Sequence, residues 1–239
     1  WVVIATGRSK RPHDFLLEKQ PLFHHPKSGC PFDALYPNAL LLYPKDATRK
    51  KKKWWVEVVS NKFPAFKKGE CPRIYQEGPY QMSEGVGFHE VVVTNDHVRS
   101  IAQMSLQEVE LLVRSYQDRY LSLKNEDCVE YISIFHNHGR GAGATLSHPH
   151  SQIIAIPVVP PDVARSIKGS AAYFRAHKRC VHCLILRYEL RVKERIIYQN
   201  GLFLACAPFA SKTAFEMRIF PKRHESHFEN MAPKTREAF

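Results

Sequence analysis

Between Asn137 and Gln152 the chain reads Asn-His-Gly-Arg-Gly-Ala-Gly-Ala-Thr-Leu-Ser-His-Pro-His-Ser-Gln. Glycines at 139, 141 and 143 let backbone approach a ligand closely with its amides exposed, an arrangement able to hold phosphate oxygens. The loop runs into His148-x-His150-x-Gln152 at the opening of a strand, where residues two apart share a face. This spacing predicts two imidazoles and a carboxamide side by side. Imidazole has two uses there: it can bind a metal, or its neutral ring can attack phosphorus and carry the group as a phosphoramidate. Attack works best when the far ring nitrogen donates to a fixed acceptor, often a backbone carbonyl. Gln152, loop amides and nearby arginines would meet the charge on the transferred group.

A second cluster of chemistry is Cys180-Val-His-Cys183, whose two-residue gap lets two thiolates bind one metal from a tight turn. The other cysteines are Cys30, Cys71, Cys128 and Cys206, an even total that permits disulfides. The opening WVVIATGRSKRPHDF lacks the order of a secretory signal, so a reducing, cytoplasmic setting is expected.

The elements that must position these groups follow from patterning. Val2–Thr6 reads as a strand, and residues 20–47 as irregular. Strands are predicted at 54–59, 88–94 and 131–136, then from Gln152 to Ile156. Ser105-Leu-Gln-Glu108 is a capping box opening a helix that continues with Val109, Leu112, Val113, Tyr116 and Tyr120. Val163–His177 is a second helix. A hairpin turns at Asn200-Gly201, and Phe215–Phe220 is the last strand. The class is α+β, a mostly antiparallel sheet with flanking helices.

The length of 239 residues allows one large domain or two small ones, with a core that needs no disulfide staples. Charged residues at 24% and hydrophobic ones at 44% argue against disorder and collagen-like repetition. No apolar run reaches the roughly 18 residues of a membrane span. The net charge of +12 favours an anionic partner. Its local concentration, Arg49 to Lys53, reads as a solvated loop before a strand.

A faint internal repeat is also visible. Cys30-Pro-Phe-Asp33, Phe63-Pro-Ala-Phe66 and a strand with His97 just beyond its end recur in order as Cys180-Val-His-Cys183, Pro208-Phe-Ala-Ser211 and a strand with His224 just beyond its end. The expected division is a first repeat over 1–158 and a second, partial one over 159–239, as in an unfinished or truncated chain.

The Asn137–Gln152 segment resembles the histidine triad superfamily, and its glutamine form resembles the galactose-1-phosphate uridylyltransferase branch, which is built of two fused repeats. The resemblance implies a histidine-triad-like fold and a ping-pong transfer of a uridylyl group from UDP-glucose to a hexose 1-phosphate through His150. It implies that Gln152 holds the phosphoryl oxygens and that Asn137, Gly143 and Thr145 surround the nucleotide phosphates. Arg8 and Arg11 match paired arginines at the nucleotide, suited to bidentate phosphate contact. Asn61-Lys-Phe63-Pro-Ala matches a segment lining the nucleoside pocket.

The resemblance also implies a structural zinc held by Cys30, Asp33, His97 and His148. Asp33 stands where cysteine is commoner, and Cys71 is a conceivable substitute. Cys180, Cys183 and His224 offer three ligands for a second zinc, with His227 or His182 as the fourth; a redox pair is the alternative. A homodimer is implied, with nucleotide sugar and hexose 1-phosphate as the partner molecules and no membrane. Three other readings stay open: an ADP-sugar phosphorylase or adenylyltransferase of the same superfamily, a hydrolase, and a zinc-containing nucleic-acid-binding module. The last lacks interleaved aromatic and basic residues.

Overall fold

The computed structural model describes residues 26–33, 36–44 and 54–239, so Val2–Thr6, Arg8, Arg11 and the lysine run lie outside the described residues. It divides into two compact units, one running up to Val163 with Phe228–Asn230 added, the other Ala164–His227 with Met231–Phe239.

The first unit is built on one antiparallel sheet. Its strands are β1 (Leu41–Pro44), β2 (Trp54–Ser60), β5 (Phe88–Thr94), β6 (Tyr131–His136) and β7 (His150–Ile156), while β3 (Tyr75–Glu77) and β4 (Tyr80–Met82) form a separate hairpin. The five strands lie in the order β1-β2-β5-β7-β6. Across β5 and β7, Val93 faces His150, Val91 faces Gln152 and His89 faces Ile154. Helix α1 (Leu106–Leu123) starts at the predicted capping box: Ser105 accepts from the Glu108 N–H and the Glu108 carboxylate accepts from the Ser105 N–H.

The two sheet faces have different coverings. On one, Leu112 and Leu123 of α1 pack with Val56, Val58, Val92, Ile153 and Ala155. On the other, Phe32 and Tyr36 pack against Trp54, Val59, Val91 and Val93. Central strands covered on both faces read as continuous apolar runs, which is why 54–59 and 88–94 were visible from sequence. Burying each large apolar side chain contributes about 1.5–3 kcal/mol. Strand β7 keeps its alternation: Ser151, Ile153 and Ala155 are buried toward the helix, and His150, Gln152 and Ile154 take the opposite face.

Two close fits hold β5 in place. Gly87, at φ +152°, leads into it, and a Cβ there would lie 2.3 Å from the Ala155 carbonyl oxygen of β7. Arg119 of α1 grips the buried Glu90 with two hydrogen bonds, 2.8 and 2.6 Å long. A disulfide joins Cys71 to Cys128, whose Cα atoms are 5.5 Å apart, within bridging range. Sequence had favoured reducing surroundings, where such bonds are rare; the pairing also takes Cys71 away from any ligand role.

The second unit holds α2 (Pro161–His177) over most of its length, α3 (Val181–Val192) and the antiparallel sheet β10-β9-β8, formed by β8 (Ile196–Gln199), β9 (Phe203–Cys206) and β10 (Arg218–Pro221). The expected hairpin is present, its turn closed by the Asn200 side chain accepting from the Leu202 and Phe203 amides. The last strand starts at Arg218, three residues later than expected, because Phe215 adopts a left-handed conformation (φ 60°). Helix α3 was not foreseen, nor were β1, β3 and β4 or the short closing helix α4 (Pro233–Glu237). Among the described residues no helix is long and apolar enough to cross a membrane.

Replacing Arg119 by Met should leave the Glu90 carboxylate buried without its partner. Such losses cost about 3–5 kcal/mol; urea unfolding of the variant should show a drop of that order, and the paired change Arg119→Met with Glu90→Gln should recover part of it.

Candidate active site and metal centre

Pro149 has no N–H to give to a ladder, and β7 begins only at the next residue. His148 therefore precedes the strand instead of sharing a face with His150 and Gln152, and the expected row of three is divided. The His148 ring, 1% exposed, meets Cys30, Asp33 and His97, and one donor atom from each of the four lies within 4.8 Å of the others. The His148 Nε2–H donates to the Thr94 carbonyl at 2.7 Å, so Nδ1 carries the lone pair. That atom lies 3.1 Å from His97 Nδ1, 3.5 Å from Cys30 Sγ and 3.6 Å from Asp33 Oδ1. Burial lowers the His148 pKa and raises that of the Cys30 thiol.

Metal–ligand bonds of about 2.0–2.3 Å in a tetrahedron place ligand atoms about 3.3–3.8 Å apart, close to what these four show. Asp33 Oδ2 is buried without a hydrogen-bond partner, which costs free energy unless a cation meets it. The donor set fits a divalent cation, with carboxylate replacing the commoner thiolate. Around it, Arg99 binds Asp96 and Glu108 and lies over the Trp55 ring, bracing the turn that carries His97. Burial alone would raise the Asp96 pKa, but hydrogen bonds from Arg99 and Val98 hold it near 2.

The His150 side chain is arranged differently. Its Nδ1–H donates to the His148 carbonyl at 2.9 Å, leaving the lone pair on Nε2. Phe32 sits beside both rings, with centroids 5.2 Å from His150 and 5.7 Å from His148. Gln152 Oε1 lies 2.8 Å from His89 Nε2, and that nitrogen is 3.1 Å from the Asn61 amide nitrogen. Phe63 is exposed, and its N–H donates to Asn61 Oδ1.

Asn137, Gly143 and Thr145 lie on the connection from β6 to β7. Gly139 and Gly143 both have positive φ, 79° and 83°, and Gly143 is in the left-handed helical conformation. The amides of Ala142, Gly143 and Ala144 are spent on the Gly139 and Arg140 carbonyls, so the loop exposes fewer free amides than its glycines suggest. The chemistry of the connection thus rests more on side chains.

In the second unit, Cys180, Cys183 and His224 come together, with Cys183 Sγ 3.1 Å from His224 Nδ1. The Cys183 amide lowers the pKa of the Cys180 thiol, at the residue that precedes the first turn of α3. Among the described residues neither His182 nor His227 joins the cluster; His182 Nε2 instead meets Ser170 Oγ at 3.0 Å.

Sequence reasoning missed His89, Phe32 and the Arg99 brace. Strand alternation could have found the first, since His89, Val91 and Val93 share the face of Gln152.

Residues 1–160 match the N-terminal domain of galactose-1-phosphate uridyl transferase. The chain is 34% identical to an ADP-glucose phosphorylase of Arabidopsis thaliana over 97% of its own length and 65% of that protein's. It is 32% identical to a galactose-1-phosphate uridylyltransferase of Thermotoga maritima, over all of its length and 69% of that protein's. A crystal structure of an Arabidopsis thaliana ADP-glucose phosphorylase with bound ADP-glucose superposes with a TM-score of 0.75 at 28% identity, covering 99% of this chain and 70% of that one. The chain thus spans about two thirds of the length of these relatives. The fold is that of these structures, the family match takes in His97, His148, His150 and Gln152, and the chain belongs to the galactose-1-phosphate uridyl transferase family.

Proposed function

We propose that the chain carries the nucleotidyl-transfer centre of a nucleotidyltransferase acting on a nucleotide sugar. The observation that carries this reading is the hydrogen bond from His150 Nδ1–H to the His148 carbonyl, which aims a lone pair from Nε2. In the first step Nε2 attacks the phosphorus nearest the nucleoside. A P–N bond forms, the P–O bond to the sugar phosphate breaks, and sugar 1-phosphate leaves with the electron pair. In the second step an acceptor phosphate oxygen attacks, the P–N bond breaks and the electron pair returns to Nε2. Gln152, Asn137 and Thr145 are the groups we assign to the phosphates, with Gly143, whose amide is bonded to the Arg140 carbonyl, allowing the loop's close approach; we assign Arg8 and Arg11 to the nucleotide, and Asn61 and Phe63 to the nucleoside.

Two substrate pairs suit this chemistry. A uridylyltransferase passes the group to a hexose 1-phosphate. An ADP-sugar phosphorylase passes it to phosphate, and the 34% identity to a relative so named supports keeping that reading. Cys30, Asp33, His97 and His148 hold zinc in this proposal. When bound, it fixes the segment before β7 by coordinating its first histidine. Cys180, Cys183 and His224 offer a second, three-ligand zinc site, and the two units correspond to one repeat and part of another.

Three measurements check this. Sugar nucleotide labelled in the phosphorus nearest the nucleoside, UDP-glucose or ADP-glucose, should label the chain at one histidine, and His150→Asn should remove the label; no label from either would sink the transfer reading. Metal analysis of the purified chain should find zinc, with about one atom per chain lost in Asp33→Ala and regained in Asp33→Cys. Chelation should lower the melting temperature of the wild type and shift that of Asp33→Ala less.

A further inference from the structure

His89 belongs to none of the groups assigned above, yet three segments meet on its ring. The Ala65 N–H donates to its Nδ1 at 3.0 Å, so in the neutral ring the proton sits on Nε2. Nε2 lies 2.8 Å from Gln152 Oε1, which accepts that proton's hydrogen bond. The same nitrogen has the Asn61 amide nitrogen at 3.1 Å, and Asn61 Oδ1 is already taken by the Phe63 N–H. Both carboxamides have thus committed their oxygens. What each has left is an NH2 group, able only to donate. The Phe63 amide sets the Asn61 orientation, with the Asn61 NH2 against the ring, so the NH2 that the ring's hydrogen bond turns away from itself is that of Gln152.

We propose that His89 is a positioning residue that sets the Gln152 carboxamide donor-outward, so that its NH2 group meets the oxygens of a phosphoryl group. The proposal rests on the transfer reading and adds what selects the amide orientation. Without a partner, a glutamine amide can present either end, and an oxygen turned toward phosphate oxygens would repel them. His89 removes that choice through contacts made before any ligand arrives, which is preorganisation. It also ties the Asn61–Ala65 segment to β7, so the nucleoside side and the phosphoryl side share one fixed point.

The test is single-turnover labelling of His150 in the full chain. His89→Phe keeps a ring but removes both hydrogen bonds, and labelling should slow by about 10- to 100-fold, the range expected when a working group loses its orientation. His89→Gln can accept from Ala65 and donate to Gln152, and should restore most of the rate. His89→Phe combined with Gln152→Ala should be no slower than Gln152→Ala alone. A folded His89→Phe chain that labels at the wild-type rate, or losses that simply add in the pair, would overturn the proposal. Nitrogen-15 spectra of the unliganded wild type give a readout independent of activity and of variant folding: the His89 proton should sit on Nε2, and a proton on Nδ1 overturns it. If the wild type takes no label, the transfer reading fails and these spectra alone judge the positioning.

Discussion

One residue, His148, joins the cluster of candidate metal ligands to His150 through two hydrogen bonds made in opposite senses. Its ring donates to the Thr94 carbonyl, which turns Nδ1 toward Cys30, Asp33 and His97. Its backbone carbonyl accepts from His150 Nδ1, which turns the other lone pair outward. Each imidazole is held in one tautomer by a backbone oxygen, and the two tautomers are opposite: Nε2–H in His148, Nδ1–H in His150. One ring turns its lone pair into the cluster of Cys30, Asp33 and His97, and the other, two residues on, has its lone pair on Nε2, as the proposed transfer requires, without any difference in residue type.

This arrangement needs a rigid frame, and β5 supplies it. The strand lies between β2 and β7, ends at the Thr94 carbonyl that fixes His148, and carries His89 on the face of Gln152. It is fastened from the helix side by Arg119 on Glu90 and admitted at its start by the missing side chain of Gly87. Beyond it, the Arg99 fork on Asp96 and Glu108 links the turn of His97 to the first turn of α1. Apolar packing supplies the bulk of the stability, while these few charged and polar contacts determine where the chemical groups stand.

Much of the frame was legible in the residues because the signals were local. The Val-rich runs of β2 and β5, the capping box of α1 and the Asn-Gly turn each depend on neighbours within a few positions. The four candidate ligands were reached through resemblance, and the fold brings them together. What escaped was either short or long-range. Strands β3 and β4 have three residues each, too few for a pattern. Helix α3 overlaps Cys180-x-x-Cys183, whose spacing read as a turn, and carries no side-chain cap. The break at Pro149, which separates His148 from the strand, overrode the alternation rule. His89 looked like an ordinary strand residue because its partners stand 24, 28 and 63 positions away.

The Cys71–Cys128 bond has a consequence for the unfolded chain. It closes a covalent ring across a separation of 57 residues, and inside that ring lie β5, α1, His89 and His97, whereas His148, His150 and Gln152 lie outside. Closing a ring of this size removes freedom from the unfolded chain equivalent to about 4 kcal/mol in the chain-entropy account. The thiol state therefore changes the ensemble from which the two halves of the site meet: oxidised, the strand that carries His89 belongs to a closed loop; reduced, it must find β7 as an open chain.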